Sequence, residues 1–269
     1  MIENDEVQVD LKRRAGIRSV EIGMRVLGAL ADLGGPSALA AVVRGCGLSP
    51  PQTHRYLVSL SQSGMVRQLA SGAYDLGPAA LKLGMRALAR IDTFKIADEE
   101  IEAFCASTGA TVLVAVLGPA GPTIVRWHVG SPPVVTSLAV GSVMSILHSA
   151  TGQVFLSFRP ERETEALVAA ERAATPQSDP EQIQQLRHKV RSEGVATVGG
   201  TLIPGLNAKA FPILNLQGDA VLVATLVSTS HRSEPEFIEA GDKLRLVCNA
   251  ISAIVGGRVP DPSTPGSVG

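Results

Sequence analysis

The chain has 269 residues, 45% hydrophobic, 18% charged and 3% aromatic: one or two globular domains, too apolar for disorder and too poor in aromatics for a stacking platform or an aromatic-lined cofactor site. Three separated cysteines (Cys46, Cys105, Cys248) with no CxxC pair argue against a disulfide framework or a Cys-rich zinc site and suit a reducing cytoplasm, and no apolar run has the length of a membrane span. The net charge of −1 hides an asymmetry: residues 11–90 carry eleven Lys/Arg against three acids, residues 91–269 thirteen against eighteen, and residues 1–10 four acids and no base. A basic segment of domain size joined to an acidic remainder points to a polyanion at one end and a different partner at the other.

In chain order, residues 1–17 are polar and unpatterned, a flexible arm without the apolar core of a signal peptide. From Ser19 to Leu33 apolar residues recur at helical spacing (Val20, Met24, Leu27, Leu30, Ala31), with Ser19 as N-cap and Gly34-Gly35-Pro36 as the stop. Ser37 caps a second helix from Ala38 to around Arg44, and Gly45-Cys46-Gly47 makes a tight turn. Ser49 caps a third helix that opens on Pro50-Pro51 and ends near Ser63, with Thr53, Tyr56, Leu57 and Leu60 inward and Gln52, Arg55 and Ser59 outward. Met65–Leu69 and Ala73–Leu76 flank a glycine-containing loop and read as a hairpin. Helices follow over Ala79–Arg90 and Asp92–Ser107.

After Gly109 the period changes. Thr111–Leu117 and Thr123–Val129 read as strands joined by Gly118-Pro119-Ala120-Gly121-Pro122, and Val134–Leu138 as another. Thr151–Phe158, Glu161–Ala174 and Pro180–Glu193 read as helices; Gly194–Val198, Ala208–Leu214 and Ala220–Val227 as strands; Pro235–Ile254 as a long final helix. The stretch 257–269, rich in Pro, Gly and Ser, reads as a disordered tail.

Three helices and a hairpin, with a short glycine turn before the third helix, describe a winged helix-turn-helix. Such a helix fits the major groove and shows the side chains of its first turns to base edges. Gln52 can pair with adenine N6 and N7, Arg55 can grip a guanine or a phosphate, and His54 flanks that face. Ser49, Pro51 and Ser59 complete the candidate DNA-binding surface of the helix, and Arg67 on the hairpin is the candidate phosphate contact. Lys12, Arg13, Arg14 and Arg18 would add non-specific, salt-dependent affinity.

These residues resemble a known pattern. Gly47-Leu48-Ser49 before the recognition helix, His54-Arg55 within it, Gly64-Met65-Val66 before the wing and Tyr74-Asp75-Leu76-Gly77 at its end are similar to the N-terminal domain of the IclR family of bacterial transcriptional regulators. Leu147–Leu156 (LHSATGQVFL) and Gly205–Pro212 (GLNAKAFP) resemble segments of that family's effector domain. The resemblance spans residues 19–256. It implies an α+β protein: a flexible arm at 1–17, a winged helix-turn-helix domain at 18–78, a linker or dimerisation helix at 79–91, a GAF-like α/β effector-binding domain at 92–256 and a tail at 257–269. It further implies a homodimer or dimer of dimers, a pseudo-palindromic double-stranded DNA operator, and a small, often carboxylate-bearing, metabolite as effector. Three positions depart from the pattern. Pro50-Pro51 replaces a polar pair and removes two N–H donors at the helix start, which weakens phosphate anchoring there. Lys209 stands where the family is usually apolar, and Gln153 where a Lys or Arg is common near the expected effector mouth.

The C-terminal part shows no catalytic constellation: no P-loop, no GxGxxG after a strand and no HExxH. His148 neighbours Ser149 and Thr151, yet no Asp or Glu lies close by in sequence. His128, His148, His188 and His231 are single, so neither a metal site nor a cofactor is expected. Ala150, Thr151 and Gly152 fall at a helix N-terminus whose free N–H groups and dipole suit an anion; simple capping by Ser149 or Thr151 is the plainer alternative. The resemblance puts the effector carboxylate near this segment and Ala208 and Thr225 on the pocket wall. A lining of Ala, Leu, Val and Thr suits a mostly apolar ligand with one polar end, such as an aromatic or short aliphatic acid. The reading is a ligand-responsive, sequence-specific DNA-binding transcriptional regulator of the cytoplasm, not an enzyme. Two alternatives stay open at this point: a small-molecule-processing enzyme with a helical oligomerisation module, and a scaffold whose basic face binds an acidic protein.

Overall fold

In the computed structural model, which describes residues 16–88, 90–174, 179–200, 205–229 and 233–257, the chain divides between Arg90 and Ile91 into two units. Most of the expected arm and tail, with Lys12, Arg13, Arg14 and His231, lies outside the described residues.

The first unit runs α1 (Arg18–Asp32), α2 (Leu39–Cys46), α3 (Pro50–Gln62), β1 (Val66–Gln68), β2 (Tyr74–Leu76) and α4 (Pro78–Leu88), with β1 and β2 antiparallel. Its core joins Val26, Leu27 and Leu30 of α1 to Val42, Leu57, Val66 and Tyr74. Leu27 and Leu30 of the expected stripe are buried, but Val20 and Met24 are 58% and 57% exposed and Val26 is buried instead. The position facing α3 one turn before Leu27 is Gly23, where an added Cβ would lie 3.7 Å from the Tyr56 ring. The helix also starts before Ser19. Ile17 is the N-cap residue, and its carbonyl accepts from the N–H groups of Val20 and Glu21. Ser37 does not cap α2, because its backbone N–H and carbonyl both pair with Tyr74. Cys46 ends α2 rather than joining the turn. Gly47 alone makes it, at φ +66°, in the left-handed region where a side chain is strained. Thr53 then ties the two helices, donating to the Ser49 carbonyl at 3.1 Å with its Oγ1 3.5 Å from Cys46 Sγ.

The second unit runs α5 (Thr93–Thr108), β3 (Thr111–Gly118), β4 (Gly121–His128), α6 (Ala150–Phe158), α7 (Glu161–Ala174), α8 (Pro180–Glu193), β5 (Ala196–Gly199), β6 (Leu206–Leu214), β7 (Ala220–Thr229) and α9 (Glu234–Ile254). The strands form one antiparallel sheet in the order β4-β3-β7-β6-β5. Side chains alternate between its faces. Val112, Val114, Ala224 and Leu226 pack with α5 and α9, whereas Leu113, Ala115, Val223 and Val227 pack under α6 and α8. Helices on both faces explain why these strands read as nearly unbroken apolar runs.

Two local expectations change. Val134–Leu138 is not a strand: the outer edge of β4 is taken by Gly141, Ser142 and Met144, which hydrogen-bond to Ile124 and Pro122. Val134 and Leu138 instead pack on the α6 side of the sheet. The five-residue connection after Leu117 shortens to Pro119-Ala120, since Gly118 pairs with Gly121. Pro122 then sits inside β4 with its nitrogen on the side away from β3, so the missing N–H costs no bond of the β3–β4 ladder.

Candidate functional site

On α3, Thr53 and Leu57 are buried while Gln52, His54, Arg55 and Ser59 are exposed, so one face is core and the other is open. Gln52, Arg55 and Ser59 line a cleft of about 280 Å³ together with Tyr56 and Ser19. Ser19 was expected only as a cap; its place in the cleft depends on how α1 packs against α3, which no local pattern marks. Ser49 is the N-cap residue, and its hydroxyl donates to Gln52 Oε1 at 3.2 Å instead of capping the backbone. Pro50 and Pro51 occupy the first helical positions, so the Gln52 N–H is the first donor at this helix start.

His54 Nδ1 lies 3.3 Å from the Tyr74 hydroxyl, which links α3 to the hairpin. Arg67 and Asp75 face each other across the hairpin, and the guanidinium donates to Asp75 Oδ2 at 2.7 Å. That hydrogen bond holds the Asp75 carboxyl below its ordinary range. The charge expected to meet a phosphate is thus already paired within the wing.

In the second unit, Ala150, Thr151, Ala208 and Thr225 converge on one cavity of about 40 Å³ between α6 and the sheet. Strand register brings them there. Ala208 stands opposite Val227, and Thr225 opposite Leu113, and directly opposed residues share a face. Leu138, Met144 and Ser149 complete much of the remaining wall, and no charged side chain lines it among the described residues. The buried Thr151 and Thr225 hydroxyl oxygens are 2.7 Å apart. Such a pair consumes one of its two hydroxyl protons, so the other remains a donor.

Gly152 does not line the cavity. An added Cβ there would lie 2.1 Å from the Ser145 carbonyl oxygen, so this glycine lets α6 press against the Ser145–Ile146 backbone. Ser149 caps the helix by accepting from Gly152 N–H at 2.9 Å. The capping alternative therefore accounts for that donor, while the N–H groups of Ala150 and Thr151 have no acceptor within the helix. Gln153 donates its amide to the Leu147 carbonyl at 3.0 Å, and Lys209 lies on the opposite face with its ammonium 5.1 Å from the Phe237 ring centre. Neither departure alters the cavity lining.

One carboxylate beside the cavity had no sequence signal, because its partners lie 24 to 26 positions away. Glu171 of α7 accepts from the Ser145 hydroxyl at 2.7 Å, Ile146 N–H at 2.6 Å and Leu147 N–H at 3.1 Å. His148 is exposed. Among the described residues no group of three His, Cys, Asp or Glu is placed to hold a metal, and no helix is long and apolar enough to cross a membrane.

Comparison with known proteins matches both units. The family model for the IclR helix-turn-helix domain covers residues 19–70, and that for the C-terminal region of the bacterial transcriptional regulator IclR covers residues 85–253. The chain is 30% identical over 209 residues to the glycerol operon regulatory protein of Streptomyces coelicolor, spanning 73% of this chain and 79% of that protein. It is 26% identical over 215 residues to the probable HTH-type transcriptional regulator ArcR of Halobacterium salinarum, spanning 77% and 81%. Among solved structures, HmgR of Pseudomonas aeruginosa superposes with a TM-score of 0.74 at 32% identity, covering 90% of this chain and 99% of that one.

Proposed function

Because the chain belongs to the IclR family of DNA-binding transcriptional regulators, we propose that two copies present the open face of α3 to a pseudo-palindromic operator and that a small acid in the cavity under α6 alters that binding. The observation that carries the DNA side is the exposed Gln52–Arg55–Ser59 face on a helix whose other side is core. Gln52 and Arg55 read or grip base edges, His54, Ser49, Pro51 and Ser59 border them, and Arg67 supports from the wing once it leaves Asp75. Residues 18–78 form the DNA head, 79–91 the linker and dimerisation helix, and 92–256 the GAF-like effector domain. Leu81 and Met85 of α4, one helical turn apart, are at least 60% exposed, an apolar strip that a second copy would cover. That supports a homodimer or a dimer of dimers. A DNA operator as partner and the three buried free thiols support a cytoplasmic location.

The cavity lining supports an effector with an apolar body and one carboxylate. The spare Thr151 or Thr225 proton and the first N–H groups of α6 provide its donors. About 40 Å³ holds little more than a water molecule, so the cavity widens to take any metabolite. Control follows if the ligand favours one arrangement of the DNA heads, since equal affinity for both shifts nothing. Selection from a randomised duplex pool, followed by anisotropy titration across salt concentrations, tests the reading. An enriched pseudo-palindrome bound far more tightly than scrambled DNA is expected. Weak, salt-sensitive binding without enrichment would overturn it.

A further inference from the structure

We propose that Glu171 is a positioning residue of the cavity under α6, holding the Ser145–Ser149 segment so that it sets how readily the cavity opens to a ligand. The proposal rests on the reading of that cavity as the effector site.

The cavity has two kinds of wall. Leu113, Ala208, Thr225 and Val227 belong to central strands whose backbones are held by ladder bonds on both sides. The facing wall, Ser149 to Thr151, is the start of α6, and its position depends on the segment before it. That segment is organised by one carboxylate. Glu171 takes the two successive backbone N–H groups of Ile146 and Leu147 and the Ser145 hydroxyl. Ser145 in turn accepts from His148 N–H with its hydroxyl, at 2.8 Å, and from the Ser149 hydroxyl with its carbonyl, at 2.6 Å. Bonds from a carboxylate to backbone N–H groups are about twice as strong as neutral ones.

The segment transmits its position to the cavity through close contact. Gly152 leaves no room between α6 and the Ser145–Ile146 backbone. A shift of that backbone away from the sheet therefore lets the first turn of α6 follow, which widens the space beside Thr151. Glu171 itself comes from α7, where Thr164 is the only residue fully buried among those described. The latch thus ties a cavity wall to a helix that packs lightly, and losing it frees the wall without dismantling the sheet.

The test reads opening directly and needs no effector. Ala208→Cys places a thiol in the cavity wall of the full-length protein, and methyl methanethiosulfonate labelling is followed at each cysteine by peptide mass mapping. Cys248, fully buried on the far side of the sheet with its thiol pushed up to about 12, reports global unfolding in the same molecules. Glu171→Gln is expected to speed labelling at position 208 about tenfold and leave Cys248 unchanged. Glu171→Asp, which keeps the charge but shortens the reach to all three donors, is expected to speed it by a smaller factor; it decides the matter alone if Glu171→Gln does not fold. Unchanged labelling at 208 would overturn the proposal, and so would parallel acceleration at Cys248. Failure of the effector reading would look different: labelling would respond as expected, yet no short aliphatic or aromatic acid would change DNA binding.

Discussion

The hydroxyl of Tyr74, a residue only 4% exposed, stands 3.3 Å from Nδ1 of His54 on the exposed side of α3. A neutral imidazole carries one N–H, so this contact also decides what the outer nitrogen offers to DNA. If the phenol donates to Nδ1, then Nε2 carries the proton and faces outward as a donor. Tyr74→Phe is expected to lower stability by about 1 kcal/mol in urea unfolding. It should also weaken operator binding by freeing the His54 ring. An unchanged unfolding midpoint would mean the contact contributes nothing in solution.

Among the described residues no carboxylate pairs with the Arg55 guanidinium, which shares its cleft with Gln52 and Ser59. Arg55→Ala should cost about 1–3 kcal/mol of operator affinity, in the range of one good base contact. Anisotropy titration against the selected duplex measures it. A dissociation constant equal to that of the parent protein removes Arg55 from the interface.

The Arg67–Asp75 pair neutralises the wing. Asp75→Asn should release the guanidinium and steepen the salt dependence of DNA binding by about one phosphate contact. The pH behaviour has a definite sign. Arg67 lowers the Asp75 carboxyl below its usual value of 3.8, so the pair's contribution is present above that value and is lost as the pH falls through the folded one. Near neutral pH the pair is therefore intact, and an unchanged salt slope in the Asn variant would show that Arg67 stays off the DNA.

Thr151 and Thr225 should behave as a coupled pair. Thr225→Val strands a buried hydroxyl and is expected to cost about 1–3 kcal/mol, as is Thr151→Val. The double variant should cost clearly less than the sum, because no polar group is then left unpaired. Additive losses in a double-mutant cycle would show that the two hydroxyls do not pair.

Much of the fold is legible because its signals are local. The Pro50-Pro51 start of α3, the glycine stops of α2 and α8, and the Ser149 cap of α6 each act within one helical turn. Local signals also mislead where a distant partner intervenes. Ser37 has the chemistry of a cap, but its backbone bonds to Tyr74. Val134–Leu138 has strand-like residues, but the edge it would need is occupied by Gly141–Met144. Val20 and Met24 fit the helical stripe of Leu27 and Leu30, but they are exposed, and Val26 joins those two in the core.

The sites divide along the same line. By itself the sequence determined the kinds and order of most elements, the basic head, and the outward face of Gln52, Arg55 and Ser59, because periodicity and capping depend on neighbours within a few residues. Only the tertiary structure decided that Arg67 spends its charge on Asp75, that Thr151 meets Thr225 from 74 positions away, and that Glu171 grips the segment leading into α6. Those pairings follow from hairpin register, strand order and the packing of helices on a sheet. Each is a sum over many weak contacts that no single stretch of residues encodes.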